Sequence, residues 1–171
     1  MHALAGGFGG ASILDLGCGD GALARWLKAR DEHPLQYVGV DALAEQIAAA
    51  QFTTPAWATF QQDDLSDDWT SSDRFDWVLV SGTINTMDTT LAEAVLDAAW
   101  HACDIGLVFN FLSDRLHARW HGRDLGPAHR FHLPAWCAWA LERTPLVACR
   151  QDYLDGHDAT IAMRKQSGVR G

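Results

Sequence analysis

The stretch that decides the fold is Ile13–Gly21, which reads ILDLGCGDG. A short apolar strand runs into a turn with three glycines in five residues, and Asp15 lies inside the strand, two positions before the first glycine. Glycine permits a tight turn and a close approach of the backbone to a ligand, because it has no Cβ. The helix predicted over residues 22–29 places this turn at a helix N-terminus. Such an arrangement is typical of a nucleotide-type cofactor site at the carboxyl end of a strand.

Beyond this turn, segments of strand-like and helical periodicity alternate along the chain. The apolar runs predict strands at 12–16, 35–41, 57–61, 75–81 and 106–111. The helical patterns predict helices at 21–30, 43–51, 91–103 and 134–143. Two final strands, joined by a tight turn at Asp155–Gly156, are predicted at 146–152 and 158–164. This alternation predicts the α/β class: one Rossmann-like sheet of about seven strands, mostly parallel with one antiparallel C-terminal strand, and helices on both faces.

The length of 171 residues fits a single domain, which we place at residues 1–165. The segment 113–132 is rich in His and Arg and is predicted to form a short helix followed by an insertion-like loop. Residues 166–171 are expected to be a disordered tail. Only about ten residues precede the first strand, so we expect a truncated chain, a site completed by another subunit, or an unusually open cleft.

The charge and the cysteines restrict the classes of function. A formal net charge of −9 disfavours binding to nucleic acid or to anionic membranes, which depends on clustered Lys and Arg. No run approaches the roughly 18 apolar residues of a membrane helix, and the first residues do not resemble a signal peptide. The four scattered cysteines are read as reduced thiols. We therefore expect a cytoplasmic protein with a small-molecule partner, and the sequence leaves its oligomeric state open.

Like the glycine turn after the first strand, acidic and small residues follow the second, third and fourth predicted strands where each strand ends. Asp41 ends the second strand, where a carboxylate can accept from both hydroxyls of a ribose. Asp63 and Asp64 end the third strand, where a carboxylate can accept from an adenine amino group. Ser81 and Gly82 follow the fourth strand. Ligands of open parallel sheets bind along this edge, so these residues predict a site for an adenosine-containing cofactor.

This set resembles the class I S-adenosylmethionine-dependent methyltransferases. The matching pieces are the Asp-x-Gly-x-Gly-x-Gly turn of residues 15–21, the strand end 39–41, and the segments 62–65 and 75–81. The resemblance spans roughly residues 11–111 by motif, and more loosely the C-terminal hairpin. It implies S-adenosylmethionine (SAM) as cofactor and S-adenosylhomocysteine (SAH) as product.

The resemblance also implies a role for each matched position. Asp15 would help to hold the methionine ammonium, directly or through water, and Asp41 would accept from the ribose. Asp63 or Asp64 would contact the adenine, on which Leu65 would pack. The backbone around Ser81 would face the transferable methyl group. The implied cofactor-binding set is Asp15, Gly17, Cys18, Gly19, Gly21, Asp41, Ala42, Asp63, Asp64, Leu65, Ser81 and Gly82.

The main alternative is a dinucleotide site, because residues 17–22 also satisfy Gly-x-Gly-x-x-Gly/Ala. A carboxylate at Asp15 suits the ammonium and sulfonium of SAM better than a pyrophosphate, and the chain is short for a dinucleotide-dependent enzyme. We therefore predict a SAM-dependent methyltransferase acting on an unidentified, small-molecule acceptor. A SAM-binding module with little or no turnover alone is the alternative, and methylation of RNA or protein is disfavoured by the acidity.

Histidines near residue 130 are the candidate general bases. His129 and His132 lie where acceptor-side insertions of this family often lie, and an imidazole can take a proton near neutral pH. His117 and His121 have a spacing that could hold a metal, with His129 or His132 added, but the sequence places no Cys or acidic third ligand, so no metal site is predicted. Trp136 and Trp139 are expected to pack in the core.

Overall fold

The computed structural model describes residues 1–66 and 69–166. Seven strands form one sheet in the order β3-β2-β1-β4-β5-β7-β6. Strands β1 to β6 run parallel, and β7 is antiparallel to both of its neighbours, β5 and β6. The predicted sheet, with its single antiparallel C-terminal strand, is therefore confirmed. The strands are β1 (Ser12–Leu16), β2 (Gln36–Asp41), β3 (Ala58–Gln62), β4 (Phe75–Ser81), β5 (Cys103–Leu112), β6 (Val147–Arg150) and β7 (Asp158–Arg164).

Helices cover both faces of this sheet. Residues of α1, α2 and α3 pack on one face, around Tyr37 and Trp77. Residues of α4 and α5 pack on the other face, around Leu14 and Phe109. The helices are α1 (His2–Ala5), α2 (Ala22–Ala29), α3 (Ala44–Thr53), α4 (Thr89–Ala102) and α5 (Leu133–Arg143).

The alternation of side chains along β1 determines where its acidic residue lies. Leu14 and Leu16 belong to the core beneath α4 and α5, whereas Ile13 belongs to the core beneath α1 and α2. Successive side chains of a strand point to opposite faces, so Asp15 lies on the same face as Ile13. Buried parallel strands tolerate few polar residues, and Asp15 is nevertheless only 2% exposed.

Several details of the chain path differ from the sequence prediction. The short helix α1 was not predicted, because four residues carry too little periodicity to identify a helix. The connection between the last two strands is a longer loop with a 3-10 turn, Leu154–Gly156, rather than a tight hairpin turn. Strand β5 begins at Cys103, directly after α4. Residues 67–68, and residues 167–171 of the predicted tail, lie outside the described residues.

No helix in the described ranges is both long enough and apolar enough to span a membrane.

Candidate cofactor site

The glycine turn after β1 is fixed by backbone geometry on both sides. Gly17, Gly19 and Gly21 all have left-handed φ values, of +70°, +54° and +79°. The N–H groups of Gly17 and Cys18 both donate to the carbonyl of Val40, at 2.8 and 3.0 Å. The turn is thereby held against the end of β2.

Gly17 illustrates why the turn needs glycine. A Cβ at this position would lie 2.1 Å from Oγ1 of Thr83, far inside van der Waals contact. The Thr83 hydroxyl itself donates to the carbonyl of Leu16 at 2.8 Å, so it cannot move away without losing that hydrogen bond. The 3-10 turn Thr83–Thr86 after β4 therefore packs directly on the glycine turn.

Asp41 connects the glycine turn to the start of α3. Its Oδ2 accepts from the N–H of Gly19 at 2.9 Å, and its Oδ1 accepts from the N–H of Leu43 at 3.0 Å. An ionised carboxylate offers about four lone-pair positions, so two remain for further donors. Asp41 is half-buried at the carboxyl end of β2, and Ala42 beside it is exposed. The position and the free lone pairs both suit a carboxylate that accepts from ribose hydroxyls.

Asp15 lies beneath the glycine turn as a buried and incompletely paired carboxyl group. The Tyr37 hydroxyl donates to its Oδ2 at 2.5 Å, while Oδ1 has no hydrogen-bond partner among the described residues. Burial raises the pKa of Asp15 to about 7; the hydrogen bond from Tyr37 opposes this rise, and the nearby charge of Asp41 adds to it. Burial, together with Asp15 and Asp41, also raises the pKa of the Cys18 thiol to about 12, so this thiol stays protonated.

The structure separates the three candidate residues after β3. The N–H of Asp63 donates to the Asp41 carbonyl at 3.1 Å, which places this residue beside the end of β2. Asp64 accepts from both the N–H and the hydroxyl of Ser66, at 2.9 and 2.7 Å, and these bonds lower its pKa. Leu65 is buried in the α4 face of the core and lines a cavity of about 330 Å³ with Leu91. The Asp63 carboxylate accepts one hydrogen bond from its own turn, from the N–H of Asp64 at 2.9 Å, whereas the Asp64 carboxylate accepts two.

Two asparagines attach the end of β4 to β5. The N–H of Gly82 donates to Oδ1 of Asn110 at 2.6 Å. Oδ1 of Asn85 accepts from the N–H of Leu112 at 2.9 Å. Ser81, exposed at the strand end, is the register partner of Asn110. These contacts fix the backbone around Ser81, and sequence reasoning missed the role of Asn110 because it depends on the β4–β5 register.

A groove opens beside Ser81 between α1 and α2. Its volume is about 650 Å³, and it runs along Ala22, Leu23 and Trp26 of α2. Met1–Ala3 form its opposite wall. The glycine turn leads directly into α2, so this groove borders the turn on the side where β4 ends.

The two candidate bases lie near the ends of β4 and β5 but differ in their contacts. The N–H of His129 donates to the Asn85 carbonyl at 2.9 Å, and its exposed ring lies 4.6 Å from that of Phe131. Nδ1 of His132 lies 2.7 Å from Oδ2 of Asp114. Burial raises the pKa of Asp114, but the hydrogen bonds from His132 and the N–H of Leu133 outweigh it and leave this pKa lowered. Asp114 therefore joins the His132 ring to the first residue of α5.

His117 and His121 do not share the face of an α-helix. They flank the three-residue 3-10 turn Ala118–Trp120, and Nδ1 of His117 accepts from the N–H of Arg119. Across residues 1–66 and 69–166, no group of three or more potential metal ligands occurs. Trp136 and Trp139 are buried in the α5 face of the core.

The comparisons with known proteins agree with this geometry. The profile of a family described as methyltransferase domain matches residues 13–106, which is more than half of the chain. The chain belongs to the class I methyltransferase family. No curated protein matches the sequence of this chain.

Solved structures of known methyltransferases share the fold. A SAM-dependent methyltransferase from Mesorhizobium loti superposes with a TM-score of 0.72 at 18% identity, covering 95% of this chain and 96% of that one. Magnesium protoporphyrin IX methyltransferase from Synechocystis PCC 6803, with bound SAH, gives a TM-score of 0.71 at 16% identity, covering 94% and 77%. A putative SAM-dependent methyltransferase from Listeria monocytogenes gives 0.69 at 15% identity, covering 96% and 97%. The predicted fold and family are confirmed.

Proposed function

We propose that this protein is a SAM-dependent methyltransferase that acts on a small-molecule acceptor. The observation that carries the proposal is the hydrogen bond from the Gly19 N–H to Oδ2 of Asp41, at 2.9 Å. It joins the glycine turn and the acidic end of β2 into one rigid edge before any ligand arrives. A preorganised site of this kind does not have to be ordered when the cofactor binds.

Each part of this edge has a task in holding the cofactor. Asp41 accepts from the ribose hydroxyls, and the Gly17–Gly21 backbone permits the close approach of the methionine end. Asp15 supports the ammonium through its negative charge, directly or through water, and its unpaired buried Oδ1 fits a cation far better than a pyrophosphate. This preference argues against the dinucleotide alternative.

The residues after β3 would bind the adenine end of the cofactor. Asp63 is the better candidate for the adenine amino group, because Asp64 already accepts two hydrogen bonds from Ser66. Ala42 follows the ribose carboxylate and leaves room for the ring. Leu65, which is buried on the α4 side, would pack on the adenine ring.

The bound cofactor supplies the methyl group on a sulfonium, so the chain's contribution is orientation and electrostatics. The fixed backbone of Ser81 and Gly82 defines one wall of the transfer position. His129 and His132 are the candidate bases for an acceptor that must lose a proton. The net charge of −9 supports a small acceptor over nucleic acid, and the free cysteines fit a cytoplasmic location.

A cofactor-binding protein with little turnover of its own is the second candidate. The observation that favours it is the hydrogen bonding of His2. Among the described residues that line the groove beside Ser81, His2 is the one histidine. Its Nε2 lies 2.5 Å from Oε2 of Glu32, so it is committed to holding α1. An acceptor that needs a base would have to recruit it from the 129–132 segment.

Calorimetric titration with SAH tests the proposal. We expect one site on the wild type, and at least a tenfold weaker affinity in Asp41→Ala, because one lost hydrogen bond to a charged group contributes about 1.5–3 kcal/mol. Asp20→Ala is the matched control: Asp20 lies in the same turn, but its exposed carboxylate binds Arg25. Absence of SAH binding to the folded wild type would overturn the proposal, and methyl transfer to any acceptor would exclude the binding-only alternative.

A further inference from the structure

A second cavity lies beside the groove, further along the sheet edge. It has a volume of about 210 Å³ and lies over Asn110 of β5, Arg150 of β6 and Thr160 of β7. Met1 and Ala3 line both this cavity and the groove, so the two share a wall. Asn110 is also the register partner of Ser81. The cavity, which we call the β5–β7 pocket, is therefore adjacent to the position where the proposed methyl transfer takes place.

The neutral polar groups of the β5–β7 pocket are hydrogen-bond donors. Oδ1 of Asn110 accepts from the N–H of Gly82, and the Asn110 side chain also hydrogen-bonds the Tyr153 hydroxyl, so one hydrogen of the amide NH₂ group remains for a further acceptor. The Tyr153 and Thr160 hydroxyls lie 2.5 Å apart, so one donates to the other and one hydrogen remains. Burial raises the pKa of Tyr153, and its phenol therefore stays protonated and able to donate.

Arg150 supplies the charge of this pocket. It is the one charged side chain among the described residues that line the cavity. Its Nε and Nη2 each lie 2.8 Å from a carboxylate oxygen of Asp152, and Nη1 has no hydrogen-bond partner in the described ranges. Asp152 thus holds the planar guanidinium in place and leaves one of its edges free for a further acceptor.

We infer that the β5–β7 pocket recognises the methyl acceptor through a carboxylate, with Arg150 and the amide of Asn110 as its donors. The inference rests on the proposed function and adds the chemical class of the acceptor, a small carboxylic acid. A carboxylate can accept from several donors at once, and the pocket presents donors from three neighbouring strands and the loop between β6 and β7. Because Asp152 balances the charge of Arg150, recognition depends on the free Nη1 edge of the guanidinium together with the neutral donors around it.

Three probes of one shape and different charge test the inference: benzoate, benzyl alcohol and benzylammonium. Each is titrated calorimetrically into protein saturated with SAH, after SAH binding has been measured on the same sample. We expect benzoate to bind at least tenfold more tightly than the other two. Equal binding of benzoate and benzyl alcohol, or tighter binding of benzylammonium, would overturn the inference. Failure of SAH itself to bind would instead count against the proposed function.

Two variants locate the binding. Arg150→Gln should weaken benzoate at least tenfold and leave SAH affinity within twofold. Asn110→Asp keeps an oxygen for the Gly82 N–H but replaces the amide donors with a negative oxygen, so it should also abolish benzoate binding. Arg123→Gln is the control, because Arg123 is exposed and stacks on Trp120 outside this pocket. Unchanged benzoate affinity in Arg150→Gln, or an equal loss in Arg123→Gln, would refute the assignment.

Discussion

Replacing Asp15 with asparagine should stabilise the ligand-free protein, and by more at high pH. The pKa of Asp15 is raised from 3.8 to about 7, chiefly by burial. At about 1.4 kcal/mol per pH unit, this difference corresponds to about 4 kcal/mol. The folded state therefore holds a proton that the unfolded state releases between pH 4 and 7, so the wild type loses stability as the pH rises through this window.

Asparagine removes this cost but keeps the shape of the side chain. Its oxygen can still accept from the Tyr37 hydroxyl, which donates to Oδ2 of Asp15 in the wild type. The free energy of unfolding of Asp15→Asn should exceed that of the wild type by about 4 kcal/mol at pH 8, and by about 2 kcal/mol at pH 5. Urea denaturation of the ligand-free protein at the two pH values measures both differences.

Asp73→Asn controls for the general effect of removing a negative charge, since Asp73 is exposed. Its effect on unfolding should stay within about 0.5 kcal/mol at both pH values. If Asp15→Asn were less stable than the wild type at pH 8, or if its advantage did not grow with pH, the reasoning about the buried carboxylate would be wrong. A gain in stability accompanied by weaker SAH binding would indicate that Asp15 is kept for the ligand.

Two further predictions concern the glycine turn and the candidate bases. Gly17→Ala should lower the melting temperature and abolish SAH binding, because the new Cβ would clash with Thr83 and the φ of Gly17 is left-handed. The double variant Gly17→Ala/Thr83→Ala should recover part of the melting temperature. If it recovers none, the clash with Thr83 is not the cause. His129→Ala and His132→Ala should lower the rate of methyl transfer without changing SAH affinity, and unchanged rates in both would remove these histidines from the mechanism.

The sequence predicts the sheet well because its signals are local. The apolar run of β4 and the glycine turn after β1 can each be recognised from a few consecutive residues. The hydrogen bond between Gly19 and Asp41 also follows from topology, since parallel strand ends meet at one edge. The fold and the strand ends that carry the candidate site can therefore be predicted without long-range information.

The contact between Tyr37 and Asp15 could not be predicted in this way. It depends on the β1–β2 register, in which Asp15 lies opposite Gly39 and Tyr37 lies opposite Ile13. A Cβ at Gly39 would be 2.6 Å from a ring carbon of Phe60, so this glycine is required by packing. In the sequence, the only sign of this close packing is a glycine, Gly39, inside the apolar run of β2.

The acceptor side was also beyond sequence reasoning. The β5–β7 pocket is built from residues on three strands that are distant in the chain, and α1 closes part of it. The histidine-rich composition pointed to residues 113–132, whereas Arg150 lies with Asn110 in the β5–β7 pocket. Its placement depends on the register of β6 with β7, where Arg150 lies opposite Thr160.

A crystal structure of the protein grown with SAH tests the central claim most directly. We expect the ribose hydroxyls within about 3.2 Å of the Asp41 carboxylate, and the homocysteine end between Gly17 and Ser81. SAH bound elsewhere, for example only in the cavity beside Leu65, would contradict it. So would an empty edge at a concentration of SAH that saturates the protein in solution.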